Sequence, residues 1–576
     1  MPIDTINADD LVENVNRHIK IFAGPGAGKT RWLVNHIRHV LHVSKRLGSC
    51  RKIACITYTN VGVETIVNRL GNTADRVEIS TIHSFLYKHI VKPYVHLIAA
   101  KYELDYLKVD GHDDIVLSNY SFLNEWKEKT SQKRIQTSDD LKVVNAWRDL
   151  RWKFDSNDNL TIVPQFPCKI QGYSVKTDSY LVYKKMMWAK GILHHDDVLF
   201  FSWQLVKSFP FLLTILRAKF AYFLVDEFQD TNPIQVRLLK EVAQSETTVA
   251  VIGDKAQSIY SFLGADHTQL DAFQLPDMDC YRIEGNHRST KNIVKLLNHV
   301  RPDLTQLPQR GEQGDVVKIV VGDKIKAVLQ IKALQSGEDI FCLTRDNLTN
   351  NKLRKGIDTN SAKKDLLDKL IQADSSNKDR RNSVISAIKA IEYAKQGFFK
   401  DAIKELRYFE SVRGLAKEEK KKNSLVLLKR LIDNSVMYEN GTLLDLINFI
   451  TQNSLANLSN LRAGGTAQTF YSSTKFVDIS AAIKHLDESG TYRTIHKSKG
   501  EEFDNVVLVI DKDENGNYDE TKQLNFLLSP NLNDEENRIK YVAISRAKQN
   551  LFISVPSLSE TVTKQLKELE IEIIQV

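Results

Sequence analysis

The chain has 576 residues, 42% of them hydrophobic and 26% charged, a globular composition that excludes a long disordered or fibrous protein and predicts three or four domains. A net charge of +8 permits a polyanionic partner without requiring one. Five scattered cysteines with no CxxC pair exclude a disulfide framework and a cysteine-based zinc or iron–sulfur site. With an acidic N-terminal stretch and no long uncharged apolar run, they point to a cytoplasmic protein with no membrane partner.

In chain order, the first apolar run is IKIFAG (19–24). It leads into GPGAGKTR and then the helical TRWLVNHIRHVL. KIACITYTN (52–60), YFLVDE (222–227) and VAVIGD (249–254) read as further buried strands of an open parallel α/β sheet. A second set, VVKIVV (316–321), DIFCLTR (339–345), NVVLVI (505–510) and LFISV (551–555), predicts a second such sheet. Far more chain lies between the second and third strands than a crossover needs, so that stretch is an inserted subdomain. Residues 350 to 487 form another insert, rich in Lys and Leu at helical spacing; within 351–431 the basic residues outnumber the acidic about two to one. A solvated helical face and a surface lying along a phosphate backbone both fit that charge.

The loop after the first strand carries its own chemistry. A glycine turn between a strand and a helix aims backbone N–H groups inward at phosphate oxygens, and the helix N-terminus adds positive potential. Ala23, Gly24, Pro25, Gly26, Ala27, Gly28, Lys29 and Thr30 form this cradle, with alanine where the strict pattern has its first glycine. Lys29 reaches the outer phosphates and Thr30 offers a hydroxyl to Mg²⁺. Hydrolysis also needs acids at the end of another strand, and LVDEFQDTNPIQ (224–235) supplies Asp226 for Mg²⁺ and Glu227 as acceptor of the water proton. In VIGDKAQSIYSFLGA (251–265), the Gln257 amide is placed to sense the terminal phosphate.

With those blocks, TYTNVGVETIVNRL, STIHSF (80–85), GNHRST (285–290), TIHKSKGEEFDNVVL (494–508) and EENRIKYVAISRAK (535–548) follow in a fixed order. In that order they resemble the motifs of superfamily 1A DNA helicases of the UvrD/Rep/PcrA type. The resemblance implies an α/β fold of two tandem RecA-like P-loop domains, each with a mainly helical insert. The domain boundaries it implies are 1–87 with 180–284, insert 88–179, then 285–350 with 488–576, insert 351–487. It implies ATP and Mg²⁺ as cofactors and 3′ to 5′ movement on single-stranded DNA toward duplex junctions. Arg288 and Arg546 match the arginines that reach the terminal phosphate, Glu502 the ribose contact, and Arg31 and His287 the positions beside the adenine. Thr57, Tyr58, Asn60, His83, Tyr260, Phe262 and His496 match strand contacts, the aromatics by base stacking.

Several positions depart from the family pattern. The upstream glutamine that reads adenine is absent, His287 replaces a tyrosine, Leu263 an arginine, and Val61 a common lysine. These departures support an alternative, a DNA-responsive NTPase that regulates a nuclease partner subunit in an anti-phage complex of the Gabija type. Too little chain follows Lys548 to add a nuclease block. The HHDD of GILHHDDVLFF (191–201) reads as a helix cap supplied by Asp196 or Asp197 rather than a metal site.

Overall fold

The computed structural model describes residues 3–335, 338–357, 361–483 and 490–576. Residues 358–360 and 484–487 of the expected second insert lie outside the described residues, as do Met1 and Pro2 of the N-terminal stretch and residues 336 and 337. The chain divides into two compact units, Met1–Gly314 with Ser529–Lys548, and Asp315–Leu528 with Gln549–Val576. By compactness, then, residues 285–314 and 529–548 group with the first unit, whereas the family pattern assigned them to the second domain.

The first unit is built on a seven-stranded sheet in the order Asp4–Ile6, Asp279–Ile283, Ile19–Ala23, Thr248–Gly253, Phe220–Val225, Lys52–Thr57, Val77–Thr81. Every neighbouring pair is parallel. The strands Phe220–Val225 and Thr248–Gly253 are buried along their whole length, because helices cover both faces of a parallel sheet and leave no polar side. All four apolar runs expected as strands in this half are strands. Three of them, Ile19–Ala23, Thr248–Gly253 and Phe220–Val225, lie side by side, so the loops leaving their carboxyl ends meet in one place.

Helix Lys29–Val43 packs on this sheet through Trp32, Leu33, Ile37 and Val40, and buries His36 with them. His36 is 2% exposed and stacks on Trp32 with ring centroids 4.6 Å apart. Burial, then the charge of His39, pushes its pKa down to about 3. The folded pKa lies below the unfolded value, so this histidine's contribution to stability is intact above about pH 6.5 and is lost as the pH falls from there towards 3. Each unit below 6.5 is expected to cost roughly 1.4 kcal/mol. Urea midpoints at pH 7.5 and 5.5 measure this, and the difference should shrink in His36→Phe.

The insert between Thr81 and the helix Asp178–Trp188 carries the helices Tyr120–Lys129 and Asp140–Arg148. It is not purely helical: Leu150–Phe154 and Leu160–Pro164 pair as an antiparallel hairpin. Leu150 and Trp152 point inward while Lys153 is exposed, the period of two that makes a strand.

The second unit holds a six-stranded sheet in the order Tyr492–Thr494, Ile340–Thr344, Phe503–Val509, Ala547–Val555, Lys318–Val321, Glu572–Gln575. The four apolar runs expected here are again its strands. Its insert is helical, with Lys378–Lys395, Phe399–Leu406, Lys417–Asp433 and Leu443–Gln452 closing around Val384, Ile388, Leu428 and Leu446. Among the described residues, no single helix is long and apolar enough to cross a membrane.

Candidate functional site

The glycine loop is held in a strained shape that its residue types permit. Gly26 and Gly28 have φ of +71° and +84°, where a side chain is disfavoured. A Cβ on Gly26 would lie 2.7 Å from the Arg288 Cβ, and one on Gly28 would lie 2.8 Å from the Ala8 Cβ. The loop's carbonyls are held from outside. The amides of Asn286 and Gln306 donate to the Pro25 carbonyl (3.2 and 2.8 Å), and the His287 N–H donates to that of Gly26 (3.0 Å). Lys29 Nζ lies on the carbonyls of Ala23 (3.5 Å) and Gly24 (3.4 Å), and Lys29 and Thr30 open the helix. Ala27 is buried within the hydrophobic core. Arg31 is exposed, with Nε 2.6 Å from Asp9 Oδ1, and Asn35 donates to the same oxygen (3.3 Å).

The adjoining strand end carries the acids. The Asp226 N–H donates to the Ile56 carbonyl (2.8 Å) across the neighbouring strand, which buries its carboxyl. Burial, then the charge of Glu227, pushes the Asp226 pKa up to about 7. Glu227 has φ +52°, a left-handed conformation that non-glycine residues sparsely adopt. The Gln229 side-chain amide donates to Glu227 Oε2, and Gln229 Oε1 accepts from the Asp254 N–H (2.9 Å), linking this loop to the next. The buried Asp226 carboxyl and the adjacent half-buried Glu227 form an oxygen donor set that Mg²⁺ fits, with the Lys29 charge acting on Asp226. Thr30 and Asp226 are the residues that would hold it, alongside phosphate and water oxygens.

The third loop closes the cluster. Gln257 Nε2 donates to Asp254 Oδ2 (2.6 Å), and Gln257 Oε1 accepts from Arg546 Nη2 (3.0 Å). Arg301 Nη1 binds the other oxygen of Asp254, an ion pair 4% and 0% exposed. Arg546, 2% exposed, also donates to the Val542 carbonyl (3.0 Å) and Ser545 Oγ (2.8 Å), while Arg288 Nη1 donates to the Ser545 carbonyl (2.8 Å). Lys29, Asp226, Glu227, Gln257, Arg288 and Arg546 are thus all carried by the first unit. Asp254, Arg301, Gln229, Asn286 and Gln306 were given no role from the sequence; Asp254, Gln229 and Asn286 lie inside quoted motifs, whereas Arg301 and Gln306 left no local signal.

Next along the sheet, Thr57 ends its strand buried, and Asn60 opens helix Asn60–Leu70, whose Thr59 cap accepts from the Gly62 N–H (3.1 Å). Tyr58 stacks on Tyr260, with centroids 4.8 Å apart at 21°, and Phe262 lies 6.0 Å from Tyr260 and is 41% exposed. His83 lies in helix Ile82–Leu86 with its ring centroid 6.0 Å from that of His195. Val61 and Leu263, the departures noted above, are both exposed. Glu502, exposed, and His496, half-buried after the strand Tyr492–Thr494, belong to the second unit.

The HHDD segment begins helix His195–Ser208, and Asp197 accepts from the His194 N–H (3.0 Å), as expected of a cap. It also accepts from the indoles of Trp152 and Trp188 (3.0 Å each) and pairs with Lys184, which is fully buried. Among the described residues, no group of three His, Cys, Asp or Glu side chains is arranged to hold a metal ion. Asp197→Ala strands the Lys184 charge and is expected to cost about 3–5 kcal/mol in urea denaturation.

Residues 6–276 match the model of the UvrD/REP helicase N-terminal domain and residues 358–557 that of the UvrD-like helicase C-terminal domain. The ATP-dependent DNA helicase PcrA of Bacillus subtilis is 29% identical over 301 residues, covering 50% of this chain and 38% of that protein. The ATP-dependent DNA helicase Rep of Buchnera aphidicola (subspecies Baizongia pistaciae) is 28% identical over 288 residues, covering 48% and 40%. PcrA of Staphylococcus aureus is 25% identical over 314 residues, covering 52% and 40%. The matched region therefore spans well under half the length of each of these relatives.

Proposed function

Because the chain belongs to the UvrD-like helicases of superfamily 1A, we propose that it hydrolyses ATP to drive 3′ to 5′ movement on single-stranded DNA and separates duplex at junctions. What carries this reading is the convergence of three loop ends and two arginines around one glycine cradle. Lys29 and the loop N–H groups bind the phosphates. Glu227 takes a proton from the water whose oxygen attacks the terminal phosphorus as the bridging P–O bond breaks, and Arg288 and Arg546 balance the charge that develops there. Bound Mg²⁺ supplies further charge neutralisation. Tyr58, Tyr260 and Phe262 give stacking faces for bases, each worth about 1–3 kcal/mol. Thr57, Asn60, His83 and His496 add polar strand contacts, and Glu502 a ribose contact. The boundaries expected from the family pattern and a reducing cytoplasmic setting complete the proposal; the five free cysteines support the latter.

A second reading, a DNA-responsive NTPase regulating an anti-phage nuclease, draws support from the corner beside the cradle. There Arg31 is engaged by Asp9, and His287 stands where the family pattern has a tyrosine. Displacement assays with 3′-tailed, 5′-tailed and blunt duplexes and each of the four triphosphates separate the two readings. Unwinding of the 3′-tailed substrate with ATP supports the motor. Triphosphate consumption without unwinding supports the regulator, and neither activity overturns both.

A further inference from the structure

Arg301 lies outside every motif quoted above. It follows helix Lys291–Val300 with its N–H on the Leu297 carbonyl (2.9 Å), and its side chain is buried. Resting on the hydrolysis reading above, we propose that Arg301 is a positioning residue for phosphoryl transfer: by pairing with Asp254 it fixes Gln257 and leaves Arg546 to the terminal phosphate.

Asp254 is the hub of the arrangement, and its carboxylate is fully buried. Its Oδ1 accepts from the Ala256 N–H (3.1 Å) and from Arg301 Nη1, while Oδ2 accepts from Gln257 Nε2 (2.6 Å). The other end of that amide, Gln257 Oε1, accepts from Arg546 Nη2 (3.0 Å). A carboxylate accepts and a guanidinium donates, so the amide between them has one orientation that satisfies both. The row therefore runs cation, anion, amide dipole, cation. Its two ends are Arg301 and the arginine assigned to the phosphate.

Without Arg301 the Asp254 carboxylate would be buried and stripped of its cation, which is strongly unfavourable. The guanidinium one amide away, that of Arg546, is then drawn to Asp254 and off the phosphate, and Gln257 is displaced from between them. Neighbouring cations are committed elsewhere. Lys255 Nζ lies 3.2 Å from Asp271 and 3.3 Å from Asp303, and Arg538 donates to the carbonyls of Ser258 (2.7 Å), Leu532 and Asn533 (2.9 Å each). Arg301 is itself held in place: Nε lies 3.3 Å from Asp303 Oδ1, and the guanidinium sits 6.0 Å from the Tyr541 ring centroid. An arginine that merely closed the fold would not act on turnover through Gln257.

The test is a double-mutant cycle on steady-state hydrolysis by the full chain: wild type, Arg301→Met, Gln257→Ala and the two combined. Assays use Mg²⁺, saturating single-stranded DNA and the triphosphate that the wild type consumes fastest, well below the thermal midpoint of every variant. Arg301→Met should lower kcat at least about tenfold, as loss of a supporting partner behind a reacting group does, with KM moving less than about threefold. Added to Gln257→Ala, it should change kcat by less than about threefold, because the route it acts through is already gone. If circular dichroism shows Arg301→Met unfolded, Arg301→Lys replaces it; the lysine keeps the cation and loses the fork, and should cost at least about threefold. A folded variant that falls short of its threshold overturns the role. So does a further loss of about threefold or more on the Gln257→Ala background, or an unchanged kcat in Gln257→Ala itself. A wild type that consumes no triphosphate defeats the hydrolysis reading, and this role with it.

Discussion

Replacing Glu227 with glutamine is expected to lower the turnover number by about 10²–10⁴-fold while nucleotide binding survives. The substitution keeps the shape of the side chain and removes its charge and its capacity to accept a proton, while the remaining amide oxygen can still accept from the Gln229 side chain. The left-handed backbone at this position lies in the loop that follows the buried strand Phe220–Val225, and the Glu227 N–H, which the substitution keeps, donates to Asp226 Oδ1 (3.0 Å). Lys29 and the glycine loop, to which the proposed function assigns the affinity, are untouched. Single-turnover hydrolysis beside an equilibrium nucleotide titration measures the split. Turnover within tenfold of the parent would remove Glu227 from the base role.

The second large effect belongs to Arg546. Its guanidinium joins three acceptors at once: Gln257 Oε1 (3.0 Å), Ser545 Oγ (2.8 Å) and the Val542 carbonyl (3.0 Å). A lysine keeps the charge but lacks the planar fork. Removing an arginine that stabilises a phosphoryl-transfer transition state costs about 10³–10⁵-fold, and Arg546→Lys is expected at the lower end of that range. A loss of about 10³ corresponds to roughly 4 kcal/mol of transition-state stabilisation. The loss should fall on kcat, with KM for the nucleotide moving less than about threefold, if the loop holds the ground-state phosphates as proposed. A kcat within threefold of the parent would show that Arg546 only braces Gln257.

Which features were legible from sequence follows from where information is local. The strands Phe220–Val225 and Thr248–Gly253 are buried on both faces and read as unbroken apolar runs. Asp279–Ile283 lies inside the same sheet, yet only Ile283 of DCYRI is buried, so no run announced it. The edge strands Asp4–Ile6 and Glu572–Gln575 are short and have no buried residue, too slight for periodicity to register. The cradle and the two acids were legible because adjacent residues carry them. The Arg301–Asp254 pair was not, since its members are 47 residues apart and meet only through folding. Likewise the Asp197 cap showed itself locally, but its indole partner Trp152, 45 residues away, did not.

The division of the chain into units restricts how it can be cut. Residues 529–548, with helix Glu535–Ile544 and Arg546, pack with residues 1–314, although more than two hundred residues intervene. A fragment ending near residue 314 would expose the surface that this helix covers and would lack one arm of the cradle. A soluble half-molecule for nucleotide titrations must instead be built by splicing 529–548 onto 1–314 through a designed linker, and terminal truncation series are poor tools for assigning roles here.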